Sequence, residues 1–188
     1  MKGIIFELLH QVVGNAYGED AWDDLLDDSG LTGAYTAVGS YPDEELIALI
    51  TNAGAKLDRE PDELVHWFGS ECIPLLATRY PAFFEPHTTT LGFLRTLNEV
   101  IHPEVRKLFP GAYAPSFEFE ERDDKTLALA YHSHRNLCSF AEGLIDGAAA
   151  YYHEDVTVEQ PSCAKRGDER CVLVTTVIRS SVADEQLV

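Results

Sequence analysis

The fold class is decided by a stretch in the second half of the chain, PSFEFEERDDKTLALAYHSHR, which spans residues 115–135. Apolar residues recur at a spacing of two on both sides of its central Asp123-Asp124-Lys125 run: Phe117, Phe119, Leu127, Leu129 and Tyr131. Side chains two residues apart lie on the same face of a β-strand, so this spacing predicts two strands. The polar run between them predicts a turn. Residues 115–135 are therefore predicted to form a β-hairpin.

A second pair of strands is predicted farther along the chain. A helix is expected from about Leu137 to Tyr152, followed by a strand that contains Val156 and Val158. Turn-forming residues at 165–168 separate that strand from a last one over residues 172–178. The second half therefore has the predicted order β-β-α-β-β, with an antiparallel sheet.

The first half of the chain has apolar residues at helical spacing. Two amphipathic helices are predicted before and after Gly18. Pro42 and Pro61, each followed by acidic residues, predict the starts of a third and a fourth helix. Pro74 is expected to kink or end the fourth helix, and a fifth begins near Thr90. The predicted fold class is α+β, with a helical N-terminal part followed by the sheet.

Composition narrows the classes of function. A chain of 188 residues is the size of one domain, and its net charge of −18 disfavours binding to nucleic acid and to anionic membrane surfaces. No apolar run is long enough for a membrane span or a signal-peptide core, so we expect a cytoplasmic protein. The sequence has no Gly-rich phosphate loop, nucleophile elbow or His-Glu-x-x-His motif. We therefore expect no enzyme activity.

Two groups of residues are candidates for binding a ligand. If the second strand extends far enough, Tyr131, Ser133 and Arg135 lie in a row of hydrogen-bond donors that suits carboxylates. The alternative is an edge strand with solvated polar residues. His102 follows an apolar helix face and precedes Pro103, which should interrupt the fifth helix. Neutral imidazole is the usual protein ligand for haem iron, although a chain with seven histidines also offers a core or surface role.

The cysteines form a second candidate site. Cys163 and Cys171 lie on either side of the predicted turn, and Cys138 lies at the start of the preceding helix. If the three thiols converge, they suit a tetrahedral zinc ion. Packed thiols without zinc, or a redox-responsive pair, are equally consistent with the spacing. Cys72 lies among apolar residues and is assigned no chemistry.

Three elements occur in a specific order and at specific separations: His102-Pro103, Pro115, and Tyr131-His-Ser-His-Arg135. With the opening MKGIIF and the segment at residues 137–144, they make the chain resemble the haem nitric oxide/oxygen binding (H-NOX) family. These are bacterial relatives of the sensor domain of soluble guanylate cyclase. The resemblance covers residues 1–179 and implies a single haem-binding sensor domain, followed by a polar tail at 180–188 with no assigned role.

The resemblance implies a role for each candidate residue. His102 is expected to be the axial ligand of a haem b held between the helical part and the sheet, and Tyr131, Ser133 and Arg135 to bind its propionates. Ile5 and Pro115 are expected to pack against the porphyrin and distort it. The family's distal wall corresponds to a set of residues without a hydrogen-bond donor: Ile5, Leu9, Pro74, Phe140 and Leu144.

The expected function is nitric oxide sensing. Oxygen-binding members of the family carry a tyrosine where this chain has Phe140, so we expect binding of nitric oxide and carbon monoxide without a stable oxygen complex. A donor from Tyr17, Tyr80 or Tyr152 would change this expectation. Nitric oxide is expected to weaken the bond between iron and His102, and the resulting shift of the N-terminal helices to regulate a separate histidine kinase or cyclic-di-GMP signalling protein.

Two alternatives to this function stay open. The first is a haem-free interaction or redox module based on the zinc or thiol chemistry of the cysteines. Zinc-binding relatives carry a histidine three residues before the cysteine that matches Cys163, where this chain has Gln160. Glu159, His134 and His153 are then candidates for the fourth ligand. The second alternative is oxygen or carbon monoxide sensing, or haem storage and transfer, by the same haem.

Overall fold

The computed structural model describes residues 1–180, and residues 181–188 of the predicted tail lie outside them. Seven α-helices and one four-stranded antiparallel sheet make up the main elements of these residues. The helices are α1 (Gly3–Tyr17), α2 (Glu19–Ser29), α3 (Asp43–Leu57), α4 (Pro61–Arg79), α5 (Thr90–Leu94), α6 (His102–Leu108) and α7 (Cys138–Tyr151). The strands are β1 (Ser116–Asp123), β2 (Thr126–His132), β3 (Glu154–Ser162) and β4 (Cys171–Ser180). The predicted α+β class is confirmed.

The sheet has the order β1-β2-β4-β3, which leaves β1 and β3 at its two edges. The predicted hairpin is present, with Phe117 paired opposite Tyr131. Strand β4 pairs with both β2 and β3, and its last residue, Ser180, lies opposite Glu154. Ser180 therefore belongs to the sheet, one residue beyond the boundary at 179 that the sequence suggested.

The sequence predicted that Pro74 would either kink or end the fourth helix. Pro74 does not end it. Helix α4 continues through Pro74 to Arg79. Proline has no N–H to donate to the carbonyl of Ser70 four residues earlier. That carbonyl lies against α7, where a Cβ added to Gly147 would come within 2.5 Å of it. The carbonyl that Pro74 leaves without its helical donor therefore lies in the close contact between α4 and α7.

Helices α4 and α7 pack unusually close because glycines line their contact. A Cβ added to Gly143 would lie 1.9 Å from the carbonyl oxygen of His66, and one added to Gly69 would lie 2.5 Å from that of Phe140. Any larger residue at these positions would push the two helices apart. The contact fixes the position of Phe140 and Leu144 on α7 relative to α4.

The buried apolar residues form two clusters. One combines α1–α4 and includes Phe6, Leu49 and Phe68, whereas the other combines the sheet, α5 and α7 and includes Leu129 and Leu173. Leu144 packs against both clusters. Among the described residues, no helix is both long enough and apolar enough to cross a membrane.

The predicted fifth helix is divided into three segments. Helix α5 begins at Thr90 as expected, a π-helical segment follows at Leu97–Ile101, and α6 starts at His102 with Pro103 in its first turn. Proline is tolerated in a first turn because the N–H there has no helical partner. His102 thus lies at the junction of two helical segments, as the His102-Pro103 pair predicted.

Candidate functional site

A large apolar cavity lies between the two hydrophobic clusters. Its volume is about 420 Å³, and it is lined by Ile5, Leu8 and Phe68 from the helical side and by Leu129 and Ile145 from the other. Eight of the ten residues assigned to the haem site line it: His102, Tyr131, Ser133, Arg135, Ile5, Pro115, Phe140 and Leu144. The fold therefore brings together residues that are up to 139 positions apart, as the separation of Ile5 and Leu144 illustrates.

His102 presents a neutral imidazole to this cavity. Burial, assisted by the positive charge of Arg106, lowers the pKa of His102 to about 4. Its Nδ1 atom is buried and has no hydrogen-bond partner among residues 1–180. The ring stacks on Phe117, with 5.9 Å between centroids and 27° between planes. A buried, neutral and incompletely bonded imidazole fits the requirements of a metal ligand.

The polar residues of the cavity are positioned by the end of β2 and the turn after it. Tyr131 lies within β2, but the strand ends at His132, so the predicted extended row does not reach Ser133 and Arg135. A turn replaces it, in which the backbone N–H of Arg135 donates to Oγ of Ser133 at 3.2 Å. Asn136 then takes a left-handed conformation, with φ of 52°. The three donors still line one cavity, where they suit carboxylates.

Asp43, which the sequence did not suggest as part of the site, holds the Arg135 guanidinium. Nε of Arg135 donates to Oδ2 of Asp43 at 2.7 Å, and Nη1 donates to the carbonyl of Tyr113 at 3.3 Å. The α-amino group of Met1 donates to the other oxygen of Asp43. Partial burial opposes ionisation of Asp43, but these hydrogen bonds outweigh it, and the pKa of Asp43 lies below its usual value.

Asp43→Asn is expected to destabilise the protein at neutral pH by about 1 kcal/mol, because it removes a charge-assisted hydrogen bond to Arg135. A carboxylate with a lowered pKa stabilises the fold above its unfolded pKa of about 3.9 and loses this contribution as pH falls through its folded pKa. The free energy of unfolding of Asp43→Asn should therefore lie about 1 kcal/mol below that of the wild type at pH 7, and this difference should become smaller below about pH 4. Urea titrations across this pH range measure it, and a difference that does not change with pH would contradict this account.

The residues assigned to the distal wall divide into two groups. Ile5, Phe140 and Leu144 line the cavity, and the Phe140 ring lies 5.2 Å from that of Phe68. Leu9 does not line it, because it is buried among the residues of the helical cluster. Pro74 does not line it either. Ile73, the preceding residue of α4, lines the cavity. Successive residues of a helix are rotated by about 100°, so Pro74 lies on an exposed side of α4.

The three tyrosines considered as alternative donors lie in different surroundings. Tyr17 is half-exposed and Tyr152 donates its hydroxyl to the carbonyl of Phe84 at 3.0 Å; neither lines the cavity. Tyr80 does line it, next to the rings of Phe83 and Phe109. No ring contact joins Tyr80 to Phe140 among the described residues.

The three thiols meet in a buried cluster outside the cavity. Sγ of Cys163 lies 3.8 Å from that of Cys138 and 3.9 Å from that of Cys171, and no disulfide joins them. Within residues 1–180, no histidine or carboxylate completes the cluster as a fourth ligand. Glu159 and His153 are exposed, whereas the ring of His134 packs on Tyr113.

The environment makes the thiols of this cluster unequal. Burial raises the pKa of Cys171 to about 11. Burial also opposes ionisation of Cys163, but donors that include the backbone N–H of Lys165 outweigh it and lower its pKa. The cluster is therefore a chemically distinct second site.

A family model described as Haem-NO-binding matches residues 2–160 of the chain. The chain belongs to this family. Its members, the H-NOX proteins, include the structures that resemble this one. No curated protein matches the chain significantly.

Solved H-NOX structures match the fold over nearly the whole chain. A mutant H-NOX protein from S. oneidensis in the Fe(II) ligation state has a TM-score of 0.90 and 27% identity, covering 96% of this chain and 98% of that chain. The S. oneidensis protein in the Fe(II)NO state has a TM-score of 0.89 and 28% identity, with coverage of 95% and 100%. An Fe(II) unliganded mutant H-NOX protein from K. algicida has a TM-score of 0.86 and 25% identity, covering 97% of this chain and 100% of that chain.

Proposed function

We propose that this H-NOX chain is a nitric oxide sensor that binds haem b in the apolar cavity, with His102 as the axial ligand. The observation that carries the proposal is the buried, neutral His102 imidazole on a cavity of about 420 Å³ that has donors for carboxylates on its wall. When bound, the haem would supply a ferrous iron that takes nitric oxide and carbon monoxide. Solved structures of the S. oneidensis H-NOX protein are in the Fe(II)NO and Fe(II)CO ligation states.

The residues around His102 are proposed to hold the cofactor. Tyr131, Ser133 and Arg135 would donate to the propionates, and the free part of the Arg135 guanidinium suits this role because Asp43 and Tyr113 orient the rest. Ile5 and Pro115 contribute apolar surface to the cavity wall, where bulky packing would distort the porphyrin.

Gas selectivity is proposed to follow from the apolar surroundings of Phe140. Bound oxygen is stabilised by a hydrogen-bond donor in the distal pocket, whereas nitric oxide binds ferrous iron strongly without one. Of the residues assigned to the distal wall, Ile5, Phe140 and Leu144 line the cavity and have no side-chain donor, and Tyr80, which also lines it, contacts Phe83 and Phe109 instead of Phe140. We therefore propose that no stable oxygen complex forms.

The sensor is proposed to act on a separate signalling protein rather than to catalyse a reaction. Release of His102 from the cofactor would change the packing between the helical cluster and the sheet, which share the cavity wall. A histidine kinase or a cyclic-di-GMP enzyme is the proposed partner. The four free thiols suit a reducing compartment, and we propose the cytoplasm.

An absorption spectrum tests the proposed function. Protein expressed with a haem precursor and reduced without air should show a strong haem band. This band should move on addition of nitric oxide and on addition of carbon monoxide, whereas air should give no lasting oxygen complex. A colourless protein that rejects added haem would contradict the proposal and favour the haem-free module.

The thiol cluster supports a second candidate function, a zinc site or a redox-responsive switch. Three sulfur atoms within 4.8 Å of one another suit a tetrahedral zinc ion whose fourth ligand is a water molecule or an additional group. The same proximity allows a disulfide after a small movement, because the sulfur atoms are separated by less than 4 Å.

A metal assay distinguishes the two forms of this second candidate. Protein purified without added zinc should contain about one zinc ion per chain if the cluster is a metal site, and Cys163→Ser should lose most of it because it removes the central thiol. The buried Cys72 provides a control, since Cys72→Ser leaves the cluster intact. Zinc-free wild type whose thiols are lost under mild oxidation would instead favour the redox switch.

A further inference from the structure

The polar side chain of Asn98 makes an unusual contact with the backbone of β1. Asn98 lies in the π-helical segment that precedes His102, and it is half-buried. Its Nδ2 donates to the carbonyl of Phe117 at 2.5 Å, and its Oδ1 accepts from the backbone N–H of Phe117 at 3.1 Å. The side-chain amide therefore satisfies both polar backbone groups of one residue.

The position of Phe117 explains why this contact can form. In an antiparallel strand, the N–H and C=O of one residue point to the same side. Strand β1 is an edge of the sheet. The N–H and C=O groups of Phe117 point away from β2, to the open side where Asn98 lies. The amide of Asn98 thus takes the place that a peptide group of a neighbouring strand would occupy. This pair of hydrogen bonds attaches the helical segment to the sheet edge.

The attachment lies next to the residues that bind the cofactor in the proposed function. Asn98 is four residues before His102, hence about one helical turn away. The Phe117 ring stacks on His102, and its centroid lies 5.8 Å from that of Tyr131. Pro115 is two residues before Phe117 in the chain. One asparagine thus fixes a ring that contacts both the axial ligand and a donor to the propionates.

We infer that Asn98 is a positioning residue that holds His102 against the sheet and resists its movement with the cofactor. The inference rests on the proposed function, because it assigns a role toward the haem. The two hydrogen bonds tie the helical segment to the edge of β1 and would resist movement of His102 toward a bound cofactor, which would favour release of His102. Without them, His102 would move more freely and stay bound.

Asn98→Leu tests the inference, because leucine has a similar size but no hydrogen-bonding group. In the nitric oxide complex, the ratio of six-coordinate to five-coordinate haem should rise about tenfold, as expected for loss of two hydrogen bonds of ordinary strength. Resonance Raman spectra of the reduced protein should show a shifted iron–histidine stretching band. Hydrogen exchange at the amide of Phe117 should become faster.

Asn52→Leu is the matched control, since Asn52 is a half-buried helical asparagine whose Nδ2 donates to Oγ of Ser29 at 3.0 Å, away from the cavity. It should leave all three measurements at wild-type values. Asn98→Asp keeps the acceptor for the N–H of Phe117 and loses the donor to its carbonyl. This variant replaces Asn98→Leu in the same three measurements if Asn98→Leu does not fold. Faster exchange at Phe117 with an unchanged ratio and stretching band would overturn the inference.

Failure of the inference can be separated from failure of the proposed function. If the wild type takes up no haem, the proposed function fails. The role toward the cofactor fails with it, and the positioning of His102 by Asn98 is then decided by NMR of the haem-free protein, in which the ring resonances of His102 should move in Asn98→Leu and stay unchanged in Asn52→Leu. Equal resonances of His102 in both variants would overturn it.

Discussion

His102→Gly is expected to abolish stable haem binding, with an affinity at least about 100-fold lower than that of the wild type. Loss of groups that merely support a metal ligand typically costs 10- to 100-fold in affinity, and this change removes the proposed ligand itself. The variant should be purified nearly colourless. Added imidazole should restore the haem band, because glycine leaves a space beside Phe117 that an imidazole ring can fill.

His66→Gly controls for the general cost of placing glycine in a helix, which is about 1 kcal/mol. His66 lies within α4, pairs with Asp146 at 2.8 Å and does not line the cavity. This variant should keep its haem. Full haem binding by His102→Gly without imidazole would instead assign the axial ligand to another residue.

Phe140→Tyr is expected to create stable oxygen binding, which the wild type lacks under the proposed function. The Phe140 ring lines the cavity, so a hydroxyl added to it can enter the space beside the proposed gas-binding position. A single buried hydrogen bond is worth about 1.5 to 3 kcal/mol when one partner carries charge, so oxygen affinity should rise about 10- to 150-fold. A lasting oxygen spectrum in air-equilibrated buffer, and a slower oxygen dissociation rate measured by stopped flow, would show it.

Phe140→Leu separates the effect of the hydroxyl from that of a changed pocket shape. Leucine alters the contact with Phe68 but adds no donor. This variant should resemble the wild type in air. If Phe140→Leu also formed a stable oxygen complex, selectivity would depend on access to the pocket and not on hydrogen bonding.

Local signals in the sequence were sufficient to predict most elements of the fold. Helix α3 starts at Asp43, directly after Pro42, and α4 starts at Pro61, because proline and acidic residues suit the first turn of a helix. The hairpin follows from its spacing of two. The continuation of α4 through Pro74 has no local signal, because the carbonyl that faces Pro74 in the helix packs on α7, about 70 residues away in sequence.

The candidate site was less accessible to sequence analysis. Resemblance to the family assigned roles to several residues that line the cavity, such as His102 and Arg135. Their supports were missed, because Asp43 lies 92 residues from Arg135 and Asn98 lies 19 residues from Phe117. Neither spacing follows a helical or strand period. The one local signal was an asparagine at position 98 between the apolar residues Leu97 and Val100.

The division of the core into two clusters links the sensor to the supply of its cofactor. A molecule that fills the cavity between the clusters binds the folded chain and not the unfolded one, so it shifts the folding equilibrium by mass action. Under the proposed function, free haem would therefore set how much of the protein survives proteolysis in a cell. A shortage of haem would then reduce the number of sensors instead of leaving inactive ones behind.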